Sequence, residues 1–301
     1  MRSPFCFLLL VLSSAAAQDY KLVRSWGETG DSPSQFRGPH GICIDGDGNV
    51  IVTDSVSHRV ARFSPQGRFL SAIGKGPGAG DGEFSSPRDC TVDRDGRIFV
   101  SDGGNHRIEV FGRDGVYLRQ FGQKGSGDGQ LLRAHALEFD ALGRLFVADV
   151  DKGRIDAFDN SGKFLFAWGK EGRNPGEFHA AHGLGIGPRG SVIVSNYYGP
   201  CQKFTADGKF LFDFAPAQPP DGPVYFHSMT TDSLGNVYLT ARTLHHRRSS
   251  ILKYDSLGKP VTQWSLAGDH HVEDVAVDIS GTVYATFRGK QQMGVEVYSS
   301  K

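Results

Sequence analysis

The most restrictive feature of this sequence is a segment that recurs six times along its 301 residues. Each copy has a lead residue, a short apolar strand, a Gly turn and a second apolar strand. A period of this length indicates a stacked or circular repeat architecture, so we predict one domain, residues 18–301. The lead residues are His40, Arg88, His135, His182, His227 and Glu273, with spacings by subtraction of 48, 47, 47, 45 and 46 residues.

Two more strands complete each repeat. In the second repeat they are RIEVF and VYLRQFG, separated by the turn RDG. The last repeat ends at Tyr298 after three strands, and residues 20–27 resemble the missing fourth strand. Four antiparallel strands per repeat are typical of a propeller blade, and closing the ring with both termini removes an open sheet edge. We therefore predict an all-β, six-bladed propeller in which the N-terminal strand closes the ring.

Residues that repeat in most blades are predicted to have structural rather than catalytic roles. The Asp residues that end the innermost strands are expected to form Asx turns into the following Gly. The repeated aromatic residues are expected to pack between blades; these are Phe63, Phe111, Phe158, Phe204 and Tyr254.

The N-terminus and the charge balance bear on location. Residues 1–17 combine Arg2, an apolar stretch too short to span a bilayer and three alanines, as in a secretory signal peptide. The formal net charge is zero, which gives no electrostatic basis for binding nucleic acid or an anionic membrane. We predict a secreted or periplasmic monomer without nucleic-acid or membrane partners.

The cysteines are predicted to be unpaired. Removal of the signal peptide leaves Cys43, Cys90 and Cys201, an odd number without a CxxC spacing. Cys43 is three residues after its lead residue and Cys90 is two after, so they point to opposite faces of their strands. This pattern argues against a disulfide and favours core packing.

A candidate metal site follows from the ring of lead residues. Innermost strands line a propeller's central channel, so equivalent positions meet at one mouth. His40, His135 and His227 come from blades 1, 3 and 5, about 120° apart by symmetry. Three His ligands with an open position are typical of catalytic zinc. The alternative is that these residues only bind loop carbonyls around a water-filled channel.

The blades resemble NHL repeats, and SDGGNHRIEVF from Ser101 is the best copy. A narrower resemblance concerns FRGPHGICIDGDGNVIVTD and LLRAHALEFDALGRLFVAD, which are similar to blades of peptidyl-α-hydroxyglycine α-amidating lyases. That resemblance implies a zinc bound by His40, His135 and His227. It also implies a catalytic arginine at Arg288, in TFRGK, and cleavage of a peptidyl-α-hydroxyglycine to a peptide amide and glyoxylate.

Four positions depart from that family's pattern. Gly104 stands nearest to its catalytic tyrosine, Val150 replaces its second active-site arginine and Tyr225 replaces a methionine. Ser228 replaces an acidic residue that the family associates with structural calcium, so the sequence gives calcium no support. Because a lyase that deprotonates a hydroxyl needs a positioned base, an altered substrate is expected.

Other residues are candidates for the missing chemistry. His182 is an extra imidazole, predicted either as a fourth metal ligand or as a replacement base. Glu273 is a candidate base or carboxylate ligand from blade 6. Arg88 and Arg242, with Arg288, are candidates for clamping an anion, and Tyr197 is a candidate for the same rim.

The sequence supports two functional hypotheses. The first is a zinc-dependent lyase or hydrolase acting on a small peptide-like or hydroxy-acid substrate. The alternative is a non-catalytic propeller that binds a protein or a glycan through the same face. Sugar-lactone hydrolases and streptogramin lyases are a third analogy, at the level of fold alone.

Overall fold

Six four-stranded antiparallel sheets are arranged as the blades of a propeller. The computed structural model describes residues 19–197, 199–214, 224–243 and 249–300. The predicted signal peptide lies outside these ranges. The N-terminal strand, Tyr20–Trp26, is the outermost strand of the sixth sheet and pairs with Met293–Ser300. The predicted fold and ring closure are therefore confirmed.

Each blade is a meander from the innermost to the outermost strand. Blades 1 to 3 contain Pro39–Ile44, Val50–Asp54, Arg59–Phe63 and Phe69–Ile73; Pro87–Val92, Ile98–Asp102, Arg107–Phe111 and Tyr117–Phe121; and Ala134–Phe139, Leu145–Asp149, Arg154–Phe158 and Phe164–Trp168. Blades 4 to 6 contain Ala181–Ile186, Val192–Asn196, Cys201–Phe204 and Phe210–Phe214; Val224–Thr231, Val237–Thr243, Ser249–Tyr254 and Pro260–Ser265; and His271–Val277, Val283–Arg288, Met293–Ser300 and Tyr20–Trp26.

Short elements complete the described chain. Gly76–Pro77 and Glu83–Phe84 form a small parallel pair, and Val150–Lys152 and Pro188–Gly190 are 3₁₀ turns. No helix in the described ranges has the length and apolar character needed to cross a bilayer.

A β-bulge marks every lead residue. In blade 1, Pro39 pairs with Asp54 and Ile42 pairs with Val52, so the segment containing His40 has one extra residue. The same shift occurs at the lead position of each other blade. Since bulges re-aim side chains at the edge of a sheet, they direct the lead residues towards the channel mouth.

Apolar clusters fill the seams between adjacent blades. The seam between blades 6 and 1, for example, packs Phe63 and Val52 against Tyr284 and Val297. All five repeated aromatic residues are at most 3% exposed and belong to such clusters, as predicted. The seams bury the apolar faces that a single repeat would expose.

The repeated Asp residues are turn residues, as predicted. Asp45 Oδ1 accepts the backbone N–H groups of Asp47 and Asn49 at 3.0 and 2.9 Å. The same pair of bonds recurs at Asp93, Asp140, Asp232 and Asp278. These carboxylates hold the innermost hairpins.

The prediction of unpaired cysteines is wrong for two of them. Cys43 and Cys90 form a disulfide, with Cα atoms 5.7 Å apart, whereas Cys201 is free and buried. The two cysteines do lie on opposite faces of their own strands. Adjacent blades stack face to face, however, so the face carrying Cys43 in blade 1 meets the face carrying Cys90 in blade 2. Opposite faces therefore bring these side chains together.

Candidate metal centre

Three imidazoles from alternate blades meet on the channel axis. The ring centroids of His40, His135 and His227 are 5.1, 5.2 and 5.4 Å apart. Each ring offers a ligand atom, and the three atoms lie within 4.8 Å of one another. His40 and His135 are buried and His227 is half-buried. The three histidines that blade symmetry predicted to converge on the axis therefore do so.

The hydrogen bonds of these rings define their tautomers. His40 Nδ1 lies 2.9 Å from Arg88 O, His135 Nδ1 lies 3.0 Å from His182 O, and His227 Nδ1 lies 2.8 Å from Glu273 O. Each Nδ1–H donates to the lead carbonyl of the next blade. Nε2 therefore carries the lone pair on all three rings, which is how a backbone carbonyl orients a metal-ligating histidine.

Burial keeps the three imidazoles neutral. Burial lowers the pKa of His40 well below its usual value, and the neighbouring His227, Arg88 and Arg288 lower it further. Burial has the same effect on the pKa of His135, and it lowers that of His227. Neutral rings are the form that binds a metal, so the donor set fits zinc.

A carboxylate and a guanidinium lie beside the third imidazole. Glu273 Oε2 is 3.6 Å from His227 Nε2, and Glu273 Oε1 is 3.2 Å from Arg288 Nε. Arg288 also donates to Pro39 O at 3.0 Å and to Ser55 Oγ at 3.0 Å. These contacts hold Arg288 across the seam between blades 6 and 1. Glu273 is consequently fixed with one oxygen facing His227.

His182 lies beside the three imidazoles with an unsatisfied ring nitrogen. Its centroid is 4.3 Å from that of His135 and 5.2 Å from that of His227. It is not part of the three-residue donor group found within the described ranges. Its Nδ1 is buried and has no hydrogen-bond partner among the described residues. His182 therefore lacks the backbone bond that fixes the other three rings.

Two tyrosines form an aromatic wall next to His182. The Tyr197 ring lies 4.6 Å from the His182 ring and stacks on Tyr225 at 4.8 Å with 23° between the planes. Tyr197 follows the second strand of blade 4, as predicted for a rim residue. Tyr225 lies two residues before His227 in blade 5. This wall occupies the side of the mouth formed by blades 4 and 5.

Arginines occupy other sides of the mouth. Arg88 is half-buried, and its pKa is lowered by burial and then by the charges of Arg133 and Arg288. Arg242 Nη2 lies 3.3 Å from His271 Nε2. The predicted anion-binding residues therefore share one mouth with the imidazoles, in positions contributed by different blades.

Sequence reasoning did not identify Arg133. Its side chain lies close enough to lower the pKa of His182, after the larger effects of burial and of His227. Its carbonyl accepts the N–H of Val150 at 3.1 Å, and its Nη2 lies 2.8 Å from Asp151 Oδ1, so the guanidinium stands one residue from the position where the resemblance implied a missing arginine. The available signal was its place two residues before His135, the same place that Tyr225 has before His227.

The channel is acidic beyond the histidines. A cavity of about 220 Å³ is lined by Asp89, Glu138 and Asp274, with apolar residues of the innermost strands. Burial raises the pKa of Glu138 to about 7 and that of Asp274 to about 6. Asp89 Oδ2 accepts the N–H of Leu137 from the next blade at 2.8 Å. Carboxylates therefore join innermost strands below a mouth that is rich in imidazole and guanidinium.

Comparisons with known proteins support the repeat and the fold. The NHL repeat model matches residues 36–63 and 84–111, in blades 1 and 2. A search of curated protein sequences found no significant relative.

Solved structures of several propeller enzymes are similar. Virginiamycin B lyase from Staphylococcus aureus is 12% identical, with a TM-score of 0.61 over 92% of this chain and 88% of that chain. A gluconolactonase from Xanthomonas campestris is 14% identical, with a TM-score of 0.65 over 89% and 88%. A putative gluconolactonase is 14% identical, with a TM-score of 0.68 over 95% and 93%. At these identities the likeness shows the fold alone. The chain is a six-bladed propeller in which blades 1 and 2 match the NHL repeat.

Proposed function

We propose that this propeller is an exported, metal-dependent lyase or hydrolase that binds zinc through His40, His135 and His227. The observation that carries the proposal is the shared geometry of the three rings. Each Nδ1–H donates to a carbonyl of the next blade, so three neutral Nε2 atoms are available at one point on the axis. Three imidazoles that only bound loop carbonyls would not need to converge in this way.

The residues around the three imidazoles suit acid–base chemistry. When bound, zinc supplies Lewis-acid polarisation of a substrate oxygen and lowers the pKa of a coordinated water. Glu273 is the proton acceptor, since one of its oxygens lies 3.6 Å from His227 Nε2. Arg288 is a positioning residue, because its bonds to Pro39 O and Ser55 Oγ hold the guanidinium against the carboxylate.

His182 is better suited to orienting a substrate than to removing a proton. Burial, followed by the neighbouring His227, Arg133 and Arg88, places its pKa well below the usual value. Such an imidazole is neutral but weakly basic. Its ring lies at the mouth against Tyr197, so His182 is proposed to pack beside the bound substrate.

The substrate is proposed to be small and peptide-like or a hydroxy acid. The sequence resemblance to amidating lyases supports this class, because the positions equivalent to the three zinc histidines and to one arginine are retained. Gly104 and Val150 lack the side chains of that family, so the substrate differs from a simple peptidyl-α-hydroxyglycine. Similarity to lactonase and lyase propellers supports an enzyme built on this scaffold.

Metal content tests the proposal directly. We expect about one zinc per chain by elemental mass spectrometry of untagged protein containing residues 18–301. The double variant His40→Ala/His135→Ala is expected to lose the metal while keeping its circular dichroism spectrum. A His179→Ala variant is the matched control, since His179 lies outside the three-imidazole group. Absence of metal from the wild type after incubation with zinc would contradict the proposal and favour a binding platform for a protein or glycan.

Substrate screening follows if zinc is found. α-Hydroxyglycine peptides and sugar lactones are the first two classes, and release of glyoxylate or of acid is the readout. Glu273→Gln is expected to lower turnover by about 10²- to 10⁴-fold, the usual contribution of a general base. Equal turnover by this variant would remove Glu273 from the mechanism.

A further inference from the structure

The charges at the channel mouth do not balance. Four guanidinium groups stand there, from Arg88, Arg133, Arg242 and Arg288, while the candidate metal ligands are neutral. The carboxylates paired with these arginines in the described ranges are Glu273 and Asp151. A divalent cation would add to the excess of positive charge. Such a mouth favours an anionic ligand.

The excess is concentrated on blades 2 and 3. In the described part of the chain, the Arg88 guanidinium has no hydrogen-bond acceptor and no ion pair within 4 Å. Arg133 pairs with Asp151 at 2.8 Å through one Nη atom, but its Nε is buried without a partner. Arg88 Cγ and the carbonyl of Ala134, next to Arg133, both border Gly103, and the charge of Arg133 lowers the pKa of Arg88, so the two guanidinium groups are neighbours. Arg88 is half-buried, whereas 43% of the Arg133 side chain is exposed. A half-buried guanidinium without an acceptor, as at Arg88, is costly unless a ligand completes it.

We propose that Arg88 and Arg133 form a carboxylate subsite beside the metal centre. A guanidinium presents a planar fork of donors that matches a carboxylate; the Arg88 guanidinium has no acceptor among the described residues, and the partly exposed Arg133 side chain places a second positive charge beside it. The proposal rests on the proposed function, since it assigns the substrate class of the same mouth. It identifies the substrate as an organic anion whose carboxylate lies on the side of blades 2 and 3.

The opposite side of the mouth sets the orientation of that anion. Tyr197 stacks on Tyr225, and His182 lies against Tyr197 at 4.6 Å, on blades 4 and 5. Aromatic faces of this kind pack against planar or apolar groups. A ligand with a carboxylate at one end and a flat apolar group at the other therefore matches both sides.

Benzoate is the probe that tests this subsite. Calorimetric titration of the metal-free protein with benzoate, at low salt, is compared with titration by neutral benzyl alcohol. We expect benzoate to bind at least tenfold more tightly, because only benzoate can use the guanidinium pair. Absence of benzoate binding at concentrations up to about 50 mM, far above the range of specific charged contacts, would overturn the proposal.

Variants locate the subsite. Arg88→Gln and Arg133→Gln are each expected to weaken benzoate binding by about tenfold, and Arg88→Lys is expected to weaken it less because it keeps the charge. Arg113→Gln is the matched control, since Arg113 pairs with Asp47 at the other end of the propeller. Equal affinities in all four variants would also overturn the proposal.

Zinc content separates this proposal from the previous one. The arginine variants are expected to keep the wild-type zinc stoichiometry and melting temperature, so that a weaker benzoate affinity does not report misfolding. A protein that binds benzoate through Arg88 but takes up no zinc would retain the anion subsite and contradict only the metal centre. A protein that binds zinc but no benzoate would retain the metal centre and contradict only the anion subsite.

Discussion

The odd-numbered and even-numbered blades build the same β-bulge at their lead residues but place different side chains on it. Blades 1, 3 and 5 carry histidines whose Nδ1–H groups donate to carbonyls of blades 2, 4 and 6. The even-numbered blades carry Arg88, His182 and Glu273, which differ from one another in charge and in partners.

The difference shows how a six-fold scaffold divides one ring into two sets of positions. A metal with three protein ligands needs a trigonal set, and alternate blades supply one. The lead residues of the even-numbered blades are then not needed as metal ligands. We infer that the even-numbered blades provide the base, the anion contact and the substrate contact, each from a different residue type.

The largest expected effect is on zinc affinity, and it distinguishes His135 of blade 3 from His182 of blade 4. His135→Ala is expected to weaken zinc binding by about 10⁴-fold, roughly 5.5 kcal/mol, because a ligand is lost from a three-ligand site. His182→Ala is expected to change it less than about threefold. Competition with a chromogenic chelator measures both. Similar losses in the two variants would show that His182 is a fourth ligand and that the two sets are not distinct.

The next effect concerns the one described seam that a disulfide joins, between blades 1 and 2. Cys43→Ala/Cys90→Ala is expected to lower the free energy of unfolding by about 4 kcal/mol, because the bond closes a loop of 47 residues in the unfolded chain. Urea denaturation measures the change. A reducing agent should destabilise the wild type similarly and leave the variant unaffected; equal responses to the reductant would argue against the bond.

A smaller effect compares the two seams of blade 6. Arg288→Ala is expected to lower the free energy of unfolding by about 2 kcal/mol, since it removes bonds to Pro39 O and Ser55 Oγ across the seam with blade 1. Arg242→Ala, whose contact is His271 across the seam with blade 5, is expected to cost about 0.5 kcal/mol. The reverse order in urea denaturation would show that Arg288 does not brace the seam.

The last prediction concerns the stability contributed by Glu109 in the third strand of blade 2, where blade 4 has Gln202 at the equivalent position. Burial raises the pKa of Glu109 from 4.5 to about 7, although Arg107 lies 2.6 Å away, whereas blade 4 has the amide of Gln202 at this position. Arg107 already donates to Gly80 O and Glu83 O at 2.8 Å, so we expect burial to outweigh the ion pair.

The sign follows from proton binding. The folded state keeps the Glu109 proton up to about pH 7 and the unfolded state loses it near 4.5, so this contribution to stability is complete below pH 4.5 and lost as the pH rises through 7. Glu109→Gln is therefore expected to be more stable than the wild type by about 1 kcal/mol at pH 8, with no gain at pH 4.5. Thermal or urea unfolding at both pH values measures this; a gain at pH 4.5 alone would contradict the sign.

The local sequence pattern was sufficient to predict several features of the fold. Hairpin turns and strand alternation depend on neighbours in sequence, so the blade number, the ring closure and the Asx turns were predictable. His40, His135 and His227 were predictable as a set because rotational symmetry carries a sequence position to a place in space. Cys43 and Cys90 were not, since their pairing depends on which faces of two different blades meet.

The sequence by itself determined a six-bladed propeller and the three imidazoles on its axis, because both follow from the period of the repeat. Only the tertiary structure decided which nitrogen each ring offers, that Arg133 stands at the mouth and that Cys43 bonds to Cys90. The reason is that these features lie in the seams. A seam joins residues about 47 positions apart, and the twist and bulge of both strands set which side chains meet there.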